Sequence, residues 1–208
     1  MDDRFETLLQ PARAYLSAAR TALATRLECR RIDTEQRAAH GVAWLATSLA
    51  ALEAVARWAS GESADLDREI AWLAFAETIA QMVGGLPMGQ NELFRPADLG
   101  LGREARDLAG ACAAVLDVDH AEARAQVAKA LVEGQWPSES LGDADLDAIR
   151  NQFRRFTDAE ILPHAHKWHM ANALIPEAMI RQMAELGTFG VCIPEDFGGL
   201  GLGKLVMC

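Results

Sequence analysis

The sequence predicts an all-α protein, and three observations lead to this fold class. Alanine is abundant while aromatic residues make up only 6% of the chain, a composition that favours helix over sheet. Apolar residues recur at helical spacing through long segments of the chain. Short connections separate these segments, which favours antiparallel neighbours in a helical bundle.

Three long helices are expected in the first part of the chain. Residues 3–30 form the first, with Pro11 marking a kink or break near its start. The second begins at a capping box made by Asp33 and Gln36 and ends at Gly61. The third runs over residues 64–83 and ends at a Gly-Gly pair.

Shorter elements are expected next. Residues 84–102 contain two prolines and several glycines, which predicts a mostly irregular segment. Helices are expected at about 103–117 and 121–133. A linker follows over residues 134–142, and we expect Trp136 to pin it against a helix. A domain boundary is therefore predicted at residue 140, between a helical extension (1–140) and a second region (141–208).

The second region opens with a helix that starts at Asp145 and closes at Ile161-Leu162-Pro163, or runs on to about His169. A further helix is predicted from Pro176, a favourable first helical residue, to Leu186. It ends at a glycine, and a short extended segment leads into a Gly-rich bend at residues 194–203. We expect the bend to use glycines for positive φ. Its glycine spacing does not fit a dinucleotide-binding loop.

Composition limits the function classes. The formal net charge is −10 and the pI is about 5.0, so nucleic acid is an unfavourable partner and anionic membranes are disfavoured. Charged residues interrupt the apolar stretches, so no transmembrane helix is expected. The polar N-terminus does not resemble a signal peptide. The cysteines lack zinc or disulfide spacing, and we expect a reducing, cytoplasmic location.

Several polar residues could belong to a site, each with a structural alternative. Gln90, Glu92 and Arg95 lie in the irregular segment and could bind a ligand, although capping helix ends is the favoured interpretation. Glu77 is expected to be buried and paired, with Arg95 as the suggested partner. His40 is expected to be an interior histidine, with an acid–base role as the alternative.

Other candidates have simpler interpretations. A metal site is disfavoured at the histidine group, because positions two apart face different sides of a helix. Its members are His164, His166 and His169. Cys192 is expected to be an inert small apolar residue. The tryptophans at 44, 58 and 72 are expected to anchor the core. From the residues alone we assign no catalytic, cofactor-binding or metal-binding residue.

Residues 145–208 nevertheless contain a set of motifs that occur together in a known family. The set includes Phe153 to Pro163, Ile175-Pro176-Glu177, and Met183 to Gly187. It also includes a specific run, Val191-Cys192-Ile193-Pro194-Glu195-Asp196-Phe197-Gly198-Gly199-Leu200-Gly201. With these motifs the segment resembles the start of the acyl-CoA dehydrogenase family. Residues 1–140 resemble the extension found on methylsuccinyl-CoA dehydrogenases within that family, through residues 37–47, 85–90 and 95–100.

The resemblance implies a flavoenzyme that oxidises an acyl-CoA thioester, here methylsuccinyl-CoA to mesaconyl-CoA. In that family a carboxylate removes the substrate α-proton and FAD accepts a hydride from the β-carbon, both in regions that this sequence does not match. The resemblance therefore implies FAD and acyl-CoA binding in the whole protein, a homo-oligomer, and a truncated domain start that is inactive alone. The alternative is a non-enzymatic helical module that docks onto another protein.

Overall fold

The computed structural model describes residues 3–60 and 64–207 and divides into two compact units, one up to Ser138 and one from Glu139. The division lies two residues before the predicted boundary, and the assignment of the two regions as domains stays a prediction. Each unit is built almost entirely of helices. The predicted all-α fold class is confirmed.

The first unit is a bundle whose three long helices are α1 (Asp3–Cys29), α2 (Gln36–Trp58) and α3 (Asp65–Gly84). Helices α1 and α2 pack against each other, and α3 packs against α2. Three shorter helices complete the unit, α4 (Gly102–Ala111), α5 (Ala113–Leu116) and α6 (Ala121–Val132). The predicted helix at 103–117 is therefore interrupted at Cys112.

The core of this unit consists of the apolar faces that the helical periodicity indicated. The rings of Phe5 on α1 and Phe75 on α3 lie with centroids 5.0 Å apart. Leu45 and Leu52 of α2 and Ile79 of α3 are likewise fully buried. Each buried side chain of this size contributes about 1.5–3 kcal/mol relative to an exposed one, so these faces hold the bundle together.

Helix α2 is long and apolar. By length and composition it could cross a membrane, with a mean hydropathy of 1.3 over an 18-residue window, which the count of uninterrupted apolar residues did not anticipate. Leu45 and Leu52 pack inward, as in a core helix. The outward face carries small residues and Trp44. The expectation of no membrane contact stays a prediction.

Two predicted helix signals at the start of the chain have different outcomes. Helix α1 continues through Pro11 without a break, and of the two predicted alternatives the kink stays a prediction. Helix α2 begins at Gln36 without the predicted capping box. Asp33 instead lies in a short 3₁₀ turn, and its carboxylate pairs with Arg31 at 3.0 Å. Gly61, the predicted end of the helix, lies outside the described residues.

Within the segment predicted to be irregular, the structure forms a small antiparallel hairpin. Strand β1 (Leu86–Pro87) pairs with β2 (Leu93–Phe94), and a 3₁₀ turn at Pro96–Leu99 follows. The Phe94 ring is buried against Gly41 of α2, where a Cβ would lie 2.1 Å from the ring. The hairpin was missed because two-residue strands carry no detectable period.

The connector after α6 is tied down, but not by the predicted residue. Trp136 is 74% exposed, so it does not pin the connector. The backbone of Ser138 provides the attachment, through hydrogen bonds to Asp67 and Trp58. Trp136 suggested an attachment because a large aromatic side chain usually packs against a helix. Backbone atoms are the same in every residue, so the sequence does not indicate that Ser138 makes the attachment.

The second unit begins with α7 (Ala144–Phe156) and α8 (Leu162–Met170), joined by a π-helical turn at Thr157–Ile161. The helix does not close at Pro163. In a regular helix the proline ring would clash with the carbonyl four residues earlier. The π turn, in which the Leu162 N–H bonds to the Thr157 carbonyl, widens the backbone just before the proline. The helical course therefore continues to Met170.

Helix α9 (Glu177–Glu185) follows, and the glycine after it has the left-handed conformation expected for a helix end, with φ of 85° at Gly187. The unit has a thin core. Over residues 139–206, Met179 and Val191 are the buried apolar side chains. Many large apolar side chains are exposed instead, including Leu174 and Phe197.

Candidate functional site

The Gly-rich bend is the strongest candidate that the sequence provides. It opens with a 3₁₀ turn at Glu195–Phe197. Gly198, Gly201 and Gly203 then take φ of 82°, 63° and 77°, values that other residues adopt only with strain. The predicted use of glycines for positive φ is confirmed.

The bend folds back on the segment before it. The amides of Leu200 and Leu202 donate to the carbonyls of Gly190 and Val191, both at 2.9 Å. Gly199 allows this approach, because a Cβ there would lie 2.1 Å from the carbonyl oxygen of Ile193. The predicted extended segment before the bend is wrong, since Thr188–Gly190 forms a 3₁₀ turn and a tight turn follows.

The folded bend presents an apolar edge. Phe197 is 82% exposed and Leu200 is half exposed. The carboxylates of Glu195 and Asp196 also face solvent. A general base works within hydrogen-bond reach of the proton it removes, in a site that excludes water. These carboxylates are exposed to solvent and lack such a setting among the described residues. The bend instead presents an exposed apolar edge.

A groove of about 540 Å³ in the same unit lies along α7. Apolar side chains such as Leu146 and Phe153 line it together with Arg150 and Arg154. Arg154 is paired with Glu139. Nε of Arg150 is buried and has no hydrogen-bond partner among the described residues. The open groove could take an apolar group, but it lacks the set of donors that a flavin dinucleotide needs, so we assign no flavin residue here.

The hairpin segment of the first unit is organised by Arg37 of α2. Its guanidinium pairs with Glu92 at 3.2 Å and with Asp98 at 2.9 Å, and it donates to the carbonyl of Leu93. Asp98 also accepts from the Arg95 amide at 2.7 Å. These contacts hold the pKa of Asp98 below its usual range against the effect of burial. Glu92 and the Arg95 backbone therefore help to tie down this segment, as the favoured interpretation predicts, and ligand binding stays the alternative prediction. Gln90 is exposed.

Three other residue predictions are wrong. Glu77 is exposed and pairs with Arg124 of α6 at 3.1 Å, not with Arg95. His40 is exposed rather than interior, and its Nε2 accepts from the Trp44 indole at 2.8 Å. Trp44 is 38% exposed, so it is not a core anchor. Trp58 and Trp72 pack against the core as predicted.

The histidine group and Cys192 show no arrangement for chemistry. All three histidines are exposed, and the ring of His164 lies 5.6 Å from the ring of Trp168. Among residues 3–60 and 64–207, no group of three or more His, Cys, Asp or Glu side chains could hold a metal ion. Cys192 is half-buried in the turn before the bend.

The sequence interpretation missed two buried carboxylates. Glu35 is 7% exposed and Asp67 only 1%. Glu35 is held by Arg30 and Arg26, and Asp67 by the connector. The single available signal was position, since both acids lie beside a helix start, where a carboxylate is favoured.

Comparison with known proteins gives one family match. Residues 143–208 match the family model described as acyl-CoA dehydrogenase, N-terminal domain. This segment contains α7 to α9 and the Gly-rich bend.

Individual relatives extend the match. The chain is 36% identical to (2S)-methylsuccinyl-CoA dehydrogenase of Cereibacter sphaeroides over 97% of its own length and 38% of the relative's. It is 38% identical to glutaryl-CoA dehydrogenase of Desulfococcus multivorans over 28% of the chain and 15% of the relative. It is 44% identical to benzylmalonyl-CoA dehydrogenase of Aromatoleum aromaticum over 29% of the chain and 16% of the relative. The chain thus spans well under half the length of each relative.

Proposed function

The chain belongs to the acyl-CoA dehydrogenase family, whose N-terminal domain is matched by residues 143–208, and from this premise we propose that the whole protein oxidises an acyl-CoA thioester. The reaction removes a proton from the α-carbon and a hydride from the β-carbon, leaving a carbon–carbon double bond beside the thioester. This proposal is supported by the family match over residues 143–208 together with three relatives that are all acyl-CoA dehydrogenases.

The proposed substrate class is the CoA monothioester of a dicarboxylic acid. The three relatives are named for methylsuccinyl, glutaryl and benzylmalonyl groups. Each of these groups has one free carboxylate in addition to the carboxyl group that forms the thioester. Such a substrate needs a cationic or hydrogen-bonding partner for its second carboxylate. An acyl-CoA dehydrogenase with that partner would discriminate against plain fatty acyl-CoA.

Within this class we propose methylsuccinyl-CoA, with mesaconyl-CoA as product. The observation that carries this choice is the extent of the match. Similarity to the methylsuccinyl-CoA enzyme covers 97% of the chain, so it includes the helical bundle before residue 139. Similarity to the other two relatives covers less than a third.

The proposed cofactor is FAD, which would accept the hydride when bound. The described residues contribute a scaffold: α7 to α9 and the Gly-rich bend form the start of the helical domain, with an apolar edge at Phe197 and Leu200. We propose that residues 1–208 alone hold no stoichiometric flavin and show no turnover. We further propose that the protein is a cytoplasmic homo-oligomer.

A substrate panel tests the function. The complete protein is purified and given methylsuccinyl-, glutaryl-, benzylmalonyl- and butyryl-CoA with an artificial electron acceptor, and products are identified by mass spectrometry. We expect methylsuccinyl-CoA to lose two hydrogens fastest, and butyryl-CoA slowest. Equal rates for butyryl-CoA would contradict the dicarboxylic class, whereas fastest turnover of glutaryl-CoA would contradict only the choice within it.

The alternative of a docking module has its own support. The exposed apolar side chains of the second unit, among them Leu174 and Phe197, form surface that a soluble protein normally covers. A complete protein without flavin and without turnover on the whole panel would favour this function over the enzyme.

A further inference from the structure

The first compact unit ends at Ser138, and the backbone of this residue is hydrogen-bonded to side chains of the same unit. The Ser138 amide donates to Oδ1 of Asp67 at 2.9 Å, and the Trp58 indole N–H donates to the Ser138 carbonyl at 3.0 Å. Both polar groups of this peptide position are therefore bonded to side chains distant in sequence. One partner lies on α3 and the other at the end of α2.

Asp67 is a carboxylate that the fold buries almost completely. It lies in the first turn of α3, where the helix dipole favours a negative charge. Its side chain is 1% exposed, and a buried carboxylate is costly unless it accepts hydrogen bonds. The connector amide supplies one of these bonds, so the burial of Asp67 depends on Ser138 being in place.

The residues that follow are attached to the second unit. Glu139 pairs with Arg154 of α7. Oγ of Ser140 donates to Oδ2 of Asp147 at 2.8 Å, and the Leu141 amide donates to Oδ1 at 2.9 Å. The Leu141 bond is the main cause that lowers the pKa of Asp147. Ser138 is therefore bonded to residues of the first unit, and residues 139–141 are bonded to residues of the second unit.

We propose that Asp67 and Trp58 form a latch that holds Ser138, the last residue of the first unit, in a fixed position on that unit. Asp67 acts as a positioning residue: through Ser138 it fixes the point at which the chain leaves the first unit. The inference does not depend on which acyl-CoA the protein oxidises.

Hydrogen exchange of the Ser138 amide in the full 208-residue chain tests the latch. We compare the natural chain with Asp67→Ala, Asp67→Asn and the matched control Asp65→Ala, which changes an exposed carboxylate two residues away on the same helix. Loss of a hydrogen bond to a charged group predicts Ser138 exchange about tenfold or more faster in Asp67→Ala. Asp67→Asn keeps an acceptor oxygen and should restore most of the protection. Asp65→Ala should match the natural chain.

The Leu141 amide separates the two attachments, since its acceptor is on α7. It should keep its protection in Asp67→Ala and lose it in Asp147→Ala, while Ser138 behaves in the opposite way. Fast exchange of Ser138 in the natural chain, or equal exchange in Asp67→Ala, would overturn the proposal. So would unequal protection of Ser138 in the natural chain and in the Asp65→Ala control.

A second variant guards against a general loss of folding. Trp58→Phe keeps an aromatic ring against the core but removes the N–H donor, and Trp72→Phe is the same change at a partly buried position on α3. Core amides such as that of Leu45 report whether the bundle is intact. With the core protected in both variants, faster Ser138 exchange in Trp58→Phe alone supports the latch, and equal exchange in the two contradicts it.

Discussion

At the scale of single residues, charged side chains that leave solvent do so only with partners. Glu35 precedes α2 and is nearly buried. Its carboxylate accepts from Arg30, and Arg26 lies 3.5 Å from the second oxygen. The Arg30 hydrogen bond is the largest of the effects that lower the pKa of Glu35. The turn between α1 and α2 is therefore held by charge.

This arrangement predicts a pH-dependent stability. Because the pKa of Glu35 is lower in the folded chain than in the unfolded one, the stabilisation is present above the unfolded pKa and is lost as pH falls through the folded value. Glu35→Gln should therefore be less stable than the natural chain at pH 7, with the difference shrinking below about pH 4.

Urea denaturation at several pH values measures this difference. The control is Glu28→Gln, an exposed glutamate near the end of α1, which should follow the natural chain throughout. A constant difference between Glu35→Gln and the natural chain from pH 7 to pH 3 would contradict the ionic explanation.

Gly41 is the second residue whose identity the packing requires. The Phe94 ring occupies the space that a side chain would need. Gly41→Ala should destabilise the first unit by about 1–3 kcal/mol through overpacking. Gly110→Ala is the matched control on α4, where a Cβ meets nothing within 4 Å, and it should stabilise by up to about 1 kcal/mol. Opposite signs in thermal or urea unfolding are expected; destabilisation by both variants to the same extent would contradict the close approach.

At the scale of elements, turns and their backbone conformations determine the shape of the second unit. A π turn carries the chain past Pro163, and a positive φ at Gly187 ends α9. The Gly-rich bend then returns the chain onto Gly190 to Ile193 through backbone hydrogen bonds. With a core this thin, backbone bonds of this kind hold the unit in shape.

Within the Gly-rich bend, Gly199 is the position most sensitive to an added side chain. A Cβ there would lie 2.1 Å from a backbone oxygen, which cannot move as a side chain can. Gly199→Ala should therefore break the return of the bend and raise exchange of the Leu200 and Leu202 amides by about tenfold or more. Gly190→Ala, whose Cβ would have its nearest contact at 3.8 Å, should leave both amides protected. Unchanged protection in Gly199→Ala would show that the segment can open without losing its bonds.

At the scale of the whole molecule, the sequence predicted the features that depend on local patterns, such as the helical spacing of apolar residues. Long apolar stripes such as that of α2 follow directly from helical periodicity, and Gly187 follows from its position after α9. The family resemblance was likewise visible in Pro194 to Gly201. These features depend on local pattern, which a single sequence contains.

The features that were missed depend on contacts between distant residues. The hairpin forms because Phe94 fits against Gly41, and the connector is held because Asp67 meets a serine amide 71 positions away. Glu77 selects Arg124 rather than Arg95 because α6 packs against α3. No local pattern records such partners. The same limit applies to the site: its expected chemistry came from resemblance, and the described residues contribute scaffold.

The most direct test of the central claim is the absorbance of flavin in the complete protein, mixed with methylsuccinyl-CoA in the absence of oxygen. Our account predicts a yellow protein whose flavin bleaches on mixing, with mesaconyl-CoA formed in equal amount. A flavin that stays oxidised with methylsuccinyl-CoA but bleaches with another acyl-CoA would contradict the proposed substrate. A complete protein that purifies without flavin, and takes none up, would contradict its function as an acyl-CoA dehydrogenase.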